Sequence, residues 1–197
     1  MSTRNASVER RTTETRIQVD VDLDGAGNAA VQTGIPFMDH MLTACARHGL
    51  LDLTIRAEGD LDVDAHHTME DLGIVLGQAV GQALDDKGGI NRFGTALVPM
   101  DEALARVVID LSGRPYLAYD VKPDSPAVGS LNVRLFREFF RGLVNNGRFT
   151  LHVALLAPGD PHHAMEAVFK AFGRALDEAA RIDGRTSGAP STKGTLA

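Results

Sequence analysis

The chain has one cysteine, Cys45, no tryptophan and only two tyrosines. A lone thiol excludes an intrachain disulfide and suits a reducing, cytoplasmic setting. No apolar run approaches the roughly 18 residues needed to span a bilayer, so no membrane association is expected. Positive charge is also short: 20 Lys and Arg stand against 26 Asp and Glu, a net charge of -6. That balance argues against nucleic acid as the main partner, because phosphate backbones reward basic surfaces. It leaves room for a small anion, which needs only a few well-placed cations. At 197 residues and 44% hydrophobic content, the chain can bury a real core as one compact domain or two fused halves. Residues 1–13 carry arginines without an apolar stretch, so they read as a tail rather than a secretory signal.

What is present is a duplication. His66-His67-Thr68-Met69-Glu70 recurs 96 residues later as His162-His163-Ala164-Met165-Glu166. At the same offset, Gly77-Gln78-Ala79-Val80 matches Gly173-Arg174-Ala175-Leu176. Thr15–Leu23 alternates as a half-buried strand should, and 28–33 are expected to pair with it across the Asp24-Gly25-Ala26-Gly27 turn. A helix follows Pro36, then a strand over 51–57 and a long helix over 66–84. In the second half, strands are expected at 104–111, 116–121 and 149–156, with helices at 131–144 and 162–180. Residues 93–98 read as a further strand near the junction. The fold class is therefore α+β: two fused ββαβα repeats, each a sheet with helices packed on one face. The halves are read as 14–90 and 91–182, followed by a flexible Gly/Ser/Thr-rich segment over 183–197.

The histidines carry the chemistry. On a helix His66 and Glu70 share a face and can grip one ion, whereas His67 lies about 100° further round. Neighbouring histidines thus serve different ions. Two such motifs suggest two metal ions, each taking ligands from both halves. Matching the halves puts His40 opposite Glu138. The candidate ligands are then His40, His66, His67 and Glu70 from the first half, and Glu138, His162, His163 and Glu166 from the second. Imidazole and carboxylate without thiolate favour manganese, with iron or zinc as alternatives. The helix dipole alone accounts for first-turn glutamates, but not for doubled histidine pairs.

These residues resemble a known family. Phe37-Met38-Asp39-His40, Asp64-Ala65-His66-His67-Thr68-Met69-Glu70-Asp71, Pro99-Met100-Asp101-Glu102, Asp110-Leu111-Ser112-Gly113-Arg114-Pro115-Tyr116 and Pro190-Ser191-Thr192-Lys193-Gly194 are similar to segments of imidazoleglycerol-phosphate dehydratases. The resemblance implies a monofunctional lyase of histidine biosynthesis, with two manganese ions in each active site. It assigns His40, His67, His162 and Glu166 to one ion, and His66, Glu70, His163 and residue 138 to the other. Members commonly carry histidine where this chain has Glu138. The substrate implied is D-erythro-imidazoleglycerol phosphate, dehydrated to imidazole-acetol phosphate through a metal-bound imidazolate. Glu14 falls at the family's proton-transfer position. Substrate contacts fall to Glu14, His40, His48, His66, Glu70, Arg92, Arg114, His162, Lys170, Ser191 and Lys193, with the segment around Lys193 closing over the phosphate. The family also implies a homo-oligomer of 24 subunits built from trimers, with active sites at interfaces. Two rivals differ in class. A dinuclear phosphoesterase would be expected to show bridging aspartates, and a metal-storage protein would not bind a triazole phosphonate.

Overall fold

The computed structural model describes residues 4–186, 188–194 and 196. Two four-stranded sheets organise the chain, each with two helices on one face. The first sheet contains β1 (Asn5–Arg11), β2 (Thr15–Asp22), β3 (Ala29–Gln32) and β4 (Asp52–Gly59), in the order β1-β2-β4-β3. Its helices are α1 (Pro36–Gly49) and α2 (His66–Leu84). The second contains β5 (Phe93–Met100), β6 (Ala103–Asp110), β7 (Tyr116–Asp120) and β10 (Thr150–Ala157), in the order β5-β6-β10-β7. A two-residue hairpin, β8 (Ala127–Val128) with β9 (Leu131–Asn132), precedes α3 (Arg134–Gly147), and α4 (Pro161–Ala180) closes the half. The expected α+β duplication is therefore observed, with one more strand in each four-stranded sheet than the ββαβα pattern has: β1 in the first half and, in the second, β5, which matches the further strand expected at 93–98.

Three local expectations are corrected. Residues 5–11, read as tail, form β1 and pair antiparallel with β2 from Asn5↔Asp22 to Arg11↔Arg16. The strand lies at the sheet edge with only alternate residues turned inward, so its apolar content is low. Residues 29–32 do not pair with β2. They run parallel to β4, Ala29↔Leu53 to Gln32↔Arg56, because α1 intervenes and carries the chain back to the starting end. The helix expected from 131 begins at Arg134, since Leu131 and Asn132 are held in the small hairpin.

Inward residues of both sheets and all four helices share one apolar core, in which Phe136, Phe139, Phe140, Phe169 and Phe172 meet edge-on or tilted. Helices of opposite halves cross in pairs, α2 on α3 and α1 on α4. Glycine makes these approaches possible. A Cβ on Gly73 would lie 2.0 Å from the Phe139 carbonyl oxygen, and one on Gly173 would lie 2.3 Å from that of Cys45. The crossings matter for function because each brings the start of a His-His helix beside a neighbour that carries one more potential ligand.

Candidate metal centre

Both histidine pairs occupy the first turn of a helix, and the preceding loop fixes that turn. The Asp64 carboxylate accepts the His66 N–H at 2.6 Å, and the Asp160 carboxylate accepts the His162 N–H at 2.8 Å. Each aspartate satisfies a backbone donor that the helix leaves unpaired. Consecutive residues on the first turn then point apart, and the two histidines of each pair have separate surroundings.

Where α1 crosses α4, His40, His162 and Glu166 converge with their donor atoms within 4.8 Å of one another. His40 Nε2 lies 3.2 Å and His162 Nε2 3.3 Å from Glu166 Oε2. The Glu166 side chain is only 10% exposed, and Lys170 Nζ sits 2.7 Å from its other oxygen. Burial raises the Glu166 pKa, but Lys170 and His40 outweigh it and hold the carboxyl at about 2. The carboxylate is thus ionised and aimed at two imidazoles. Two imidazole nitrogens and one carboxylate oxygen suit a borderline divalent cation.

Where α2 crosses α3, Glu70 and Glu138 are joined through Arg141, and His66 lies beside Glu70. His66 Nε2 is 3.9 Å from Glu70 Oε2. Arg141 Nη2 lies between the carboxylates, 3.3 Å from Glu70 and 2.5 Å from Glu138. The Glu138 contact is an ion pair without hydrogen-bond direction, and Oε2 is otherwise buried and unpartnered. An anionic oxygen so placed fits a cation's ligand set. Replacing Glu138 by Gln is expected to weaken metal uptake at one of two sites and lower activity, while Glu138→His keeps both. Full affinity in Glu138→Ala, measured by metal titration, would strike Glu138 from the ligands.

His67 and His163 face away from these two clusters. His67 Nδ1 is 2.9 Å from Asp60 and 3.8 Å from Glu14. His163 Nδ1 is 3.1 Å from Glu102, with Asp101 4.0 Å from Nε2. The Asp60 hydrogen bond raises the pKa of His67, and the Glu102 hydrogen bond raises that of His163. Glu102 itself is held at about 2, first by the Asp160 N–H, then by its own N–H and by His163. Within one chain, then, His67 does not join His40, and His163 does not join His66.

The expected phosphate contacts also divide. Arg92 is bidentate on Asp110 at 2.7 and 3.2 Å, and it donates to the Pro190 carbonyl at 2.9 Å. Arg114 reaches the same Asp110 at 3.8 Å, and Ser191 Oγ accepts the N–H of exposed Lys193. This group sits where β5 begins, opposite Asp110 of β6. Glu102 and His163 lie beyond the other end of those strands. At about 3.3 Å per residue, the eight-residue β5 separates the two ends by roughly 23 Å. Lys170 lies at the metal cluster on Glu166, and His48 is near enough to Lys170 and Arg174 that they help burial depress its pKa. His152 is exposed and packs on Tyr116, away from both clusters.

Comparison with known proteins settles the relationship. The sequence profile of imidazoleglycerol-phosphate dehydratase matches residues 33–176. The chain belongs to the imidazoleglycerol-phosphate dehydratase family. It is 57% identical to the imidazoleglycerol-phosphate dehydratase of Moorella thermoacetica over 98% of both chains. It is 58% identical to that of Aromatoleum aromaticum over 98% of this chain and all of the relative. The Staphylococcus aureus dehydratase crystal structure superposes with a TM-score of 0.82 at 40% identity, covering 91% of this chain and 99% of that one. The Pyrococcus furiosus dehydratase, solved in complex with (S)-C348, gives 0.83 at 39% identity, covering 96% of this chain and all of its own. The chain is accordingly a hydro-lyase of histidine biosynthesis, in a metal-dependent family. Among the described residues, no helix is long and apolar enough to cross a membrane.

Sequence reading did not single out Asp60, or give Asp101, Glu102 and Arg141 any role. Asp101 and Glu102 lie within the Pro99–Glu102 segment that resembles the family. Asp60 had no signal beyond its place between a strand and a histidine helix, and Arg141 reads as one more surface charge.

Proposed function

We propose that the chain dehydrates D-erythro-imidazoleglycerol phosphate to imidazole-acetol phosphate in the cytoplasm, in active sites completed between chains of a homo-oligomer. The observation that carries this reading is the division of the ligands. His40, His162 and Glu166 form a three-donor cluster, His66 and Glu70 lie with Glu138 around Arg141, and His67 and His163 turn to carboxylates of their own, His163 forming a further three-donor group with Asp101 and Glu102. Each cluster lacks one histidine, and each outward pair supplies one. His67 of one chain is assigned to the His40 cluster of another, and His163 to the His66 cluster. The two ions are proposed to be manganese, and the assembly to be 24 subunits built from trimers.

Bound divalent ions supply the positive charge that makes the imidazole ring give up its proton and push electrons toward the departing hydroxyl. The chain's own groups do the rest. The hydroxyl on the carbon joined to the ring departs as water, the ring's N–H proton balancing the hydroxide, and Glu14 is the assigned base that takes the proton from the neighbouring carbon. The resulting enol tautomerises to the ketone. Arg92 meets the Ala179 carbonyl, thirteen residues along α4 from Glu166 and so roughly 20 Å from that cluster at about 1.5 Å per residue. It is assigned, with Arg114, Ser191 and Lys193, to the phosphate of a substrate held by another chain. Lys170 and His48 line the approach to the His40 cluster.

Metal-free protein titrated with manganese is expected to take up about two ions per chain. A plateau at one ion would sink the separate assignment of His66 and His67. Incubation of the loaded protein with imidazoleglycerol phosphate is expected to give an enolisable ketone, and its absence would contradict the substrate assignment.

A further inference from the structure

We infer that Asp60 and Glu102 are positioning residues that set the proton and ring orientation of His67 and His163, so that each presents Nε2 to an ion held largely by a neighbouring chain. The inference rests on the ligand reading above.

An ionised carboxylate can only accept a hydrogen bond. With Asp60 Oδ2 at 2.9 Å from His67 Nδ1, and Glu102 at 3.1–3.2 Å from His163 Nδ1, the proton belongs on Nδ1 in both rings. Nε2 then keeps its lone pair. In the two clusters too, Nε2 is the atom that His40, His162 and His66 turn toward their glutamates. A ligand delivered from another chain has little support from the cluster it joins, so its own chain must aim it. A carboxylate behind the ring does this while raising its basicity.

Duplication alone does not explain the pair. Asp60 follows β4, whereas Glu102 lies in the turn between β5 and β6. The counterpart of that turn in the first half carries Glu14, whose carboxylate is farther from His67, at 3.8 Å. The residue directly after β10 is Pro158, and Asp160 matches Asp64 instead, each capping its histidine helix. Carboxylate on Nδ1 is reached from two different places in the two halves. Asp60 is also specialised: its Oδ1 is buried without a partner, and His67 is the only hydrogen-bond partner of its side chain among the described residues.

The test is a double-mutant cycle read by metal binding in the absence of substrate. Free manganese is followed by electron paramagnetic resonance as metal-free, full-length protein is titrated. Asp60→Asn lets an amide N–H donate to Nδ1 and moves the ring proton to Nε2. It is expected to weaken one class of site by about 10–100-fold, the usual effect of losing such a partner, and to leave the other class unchanged. His67→Ala should weaken the same class, and adding Asp60→Asn to it should cost nothing further. Glu102→Gln and His163→Ala form a second cycle on the other class, which keeps the inference testable should one variant fail to fold. A wild-type isotherm for both Asp60→Asn and Glu102→Gln would overturn the inference. So would losses that persist in the histidine-free backgrounds, because the carboxylates would then act through something else. If His67→Ala and His163→Ala both bind manganese normally, the ligand reading itself fails and the inference with it.

Discussion

Glu14→Gln is expected to lower kcat by on the order of 10²-fold or more, the usual scale for a general acid-base group, with manganese content unchanged. The substitution keeps the side chain's size and removes its capacity to take a proton. Glu14 lies in the turn between β1 and β2, its N–H donating to Thr12 Oγ1 at 3.1 Å and its carbonyl accepting the Asp60 N–H at 3.1 Å. These backbone contacts persist in the variant, so the amide should stand where the carboxylate stood. Metal should stay because Asp60, at 2.9 Å, makes the closer contact with His67. Arg114→Ala and Lys193→Ala should fail differently, mainly by raising KM, since both are assigned to the phosphate and neither to the reacting carbons. Steady-state kinetics with metal analysis separates the cases. A Glu14→Gln enzyme with wild-type kcat, or one that has lost metal, would contradict the role.

This expectation depends on an element that was hard to read. β1 is an edge strand whose half-buried apolar residues are Ala6 and Val8, with Ser7 between them and Glu9, Arg10 and Arg11 after them. So little apolar alternation looks like tail. Yet β1 is what turns Glu14 from a residue at the end of loose chain into one held in a hairpin. The parallel pairing of β3 with β4 was illegible for another reason: alternation says which residues face inward, not which strand lies alongside. The helices were easier. Pro36 at a first turn, and the long apolar periodicity after each histidine pair, marked α1, α2 and α4 to within a residue or two. At the site, the doubled motif separated adjacent histidines by direction, and the structure gives them separate surroundings. What no single chain's pattern conveys is which histidines stay with their own helix pair. That follows from the glycine-lined crossings of α1 on α4 and α2 on α3, formed only when the halves pack. The same packing puts Arg141 between Glu70 and Glu138, a contact without sequence signature.

Sharing of sites between chains is the central claim, and mixing two inactive variants tests it most directly. His162→Ala removes a donor from the cluster built within one chain, and His67→Ala removes the donor sent to another. Each variant alone should be nearly inactive, because every site lacks a ligand. In oligomers dissociated, mixed and reassembled with manganese, some sites pair an intact His40–His162–Glu166 cluster from the His67→Ala chain with an intact His67 from the His162→Ala chain. Those sites should turn over imidazoleglycerol phosphate, so ketone formation in the mixture should rise well above that of either variant treated alone. The rise should be greatest near equal proportions. Mixed oligomers no more active than their parents, under conditions where reassembled wild type recovers its activity, would show that His67 and His162 must belong to the same chain, and would contradict the account.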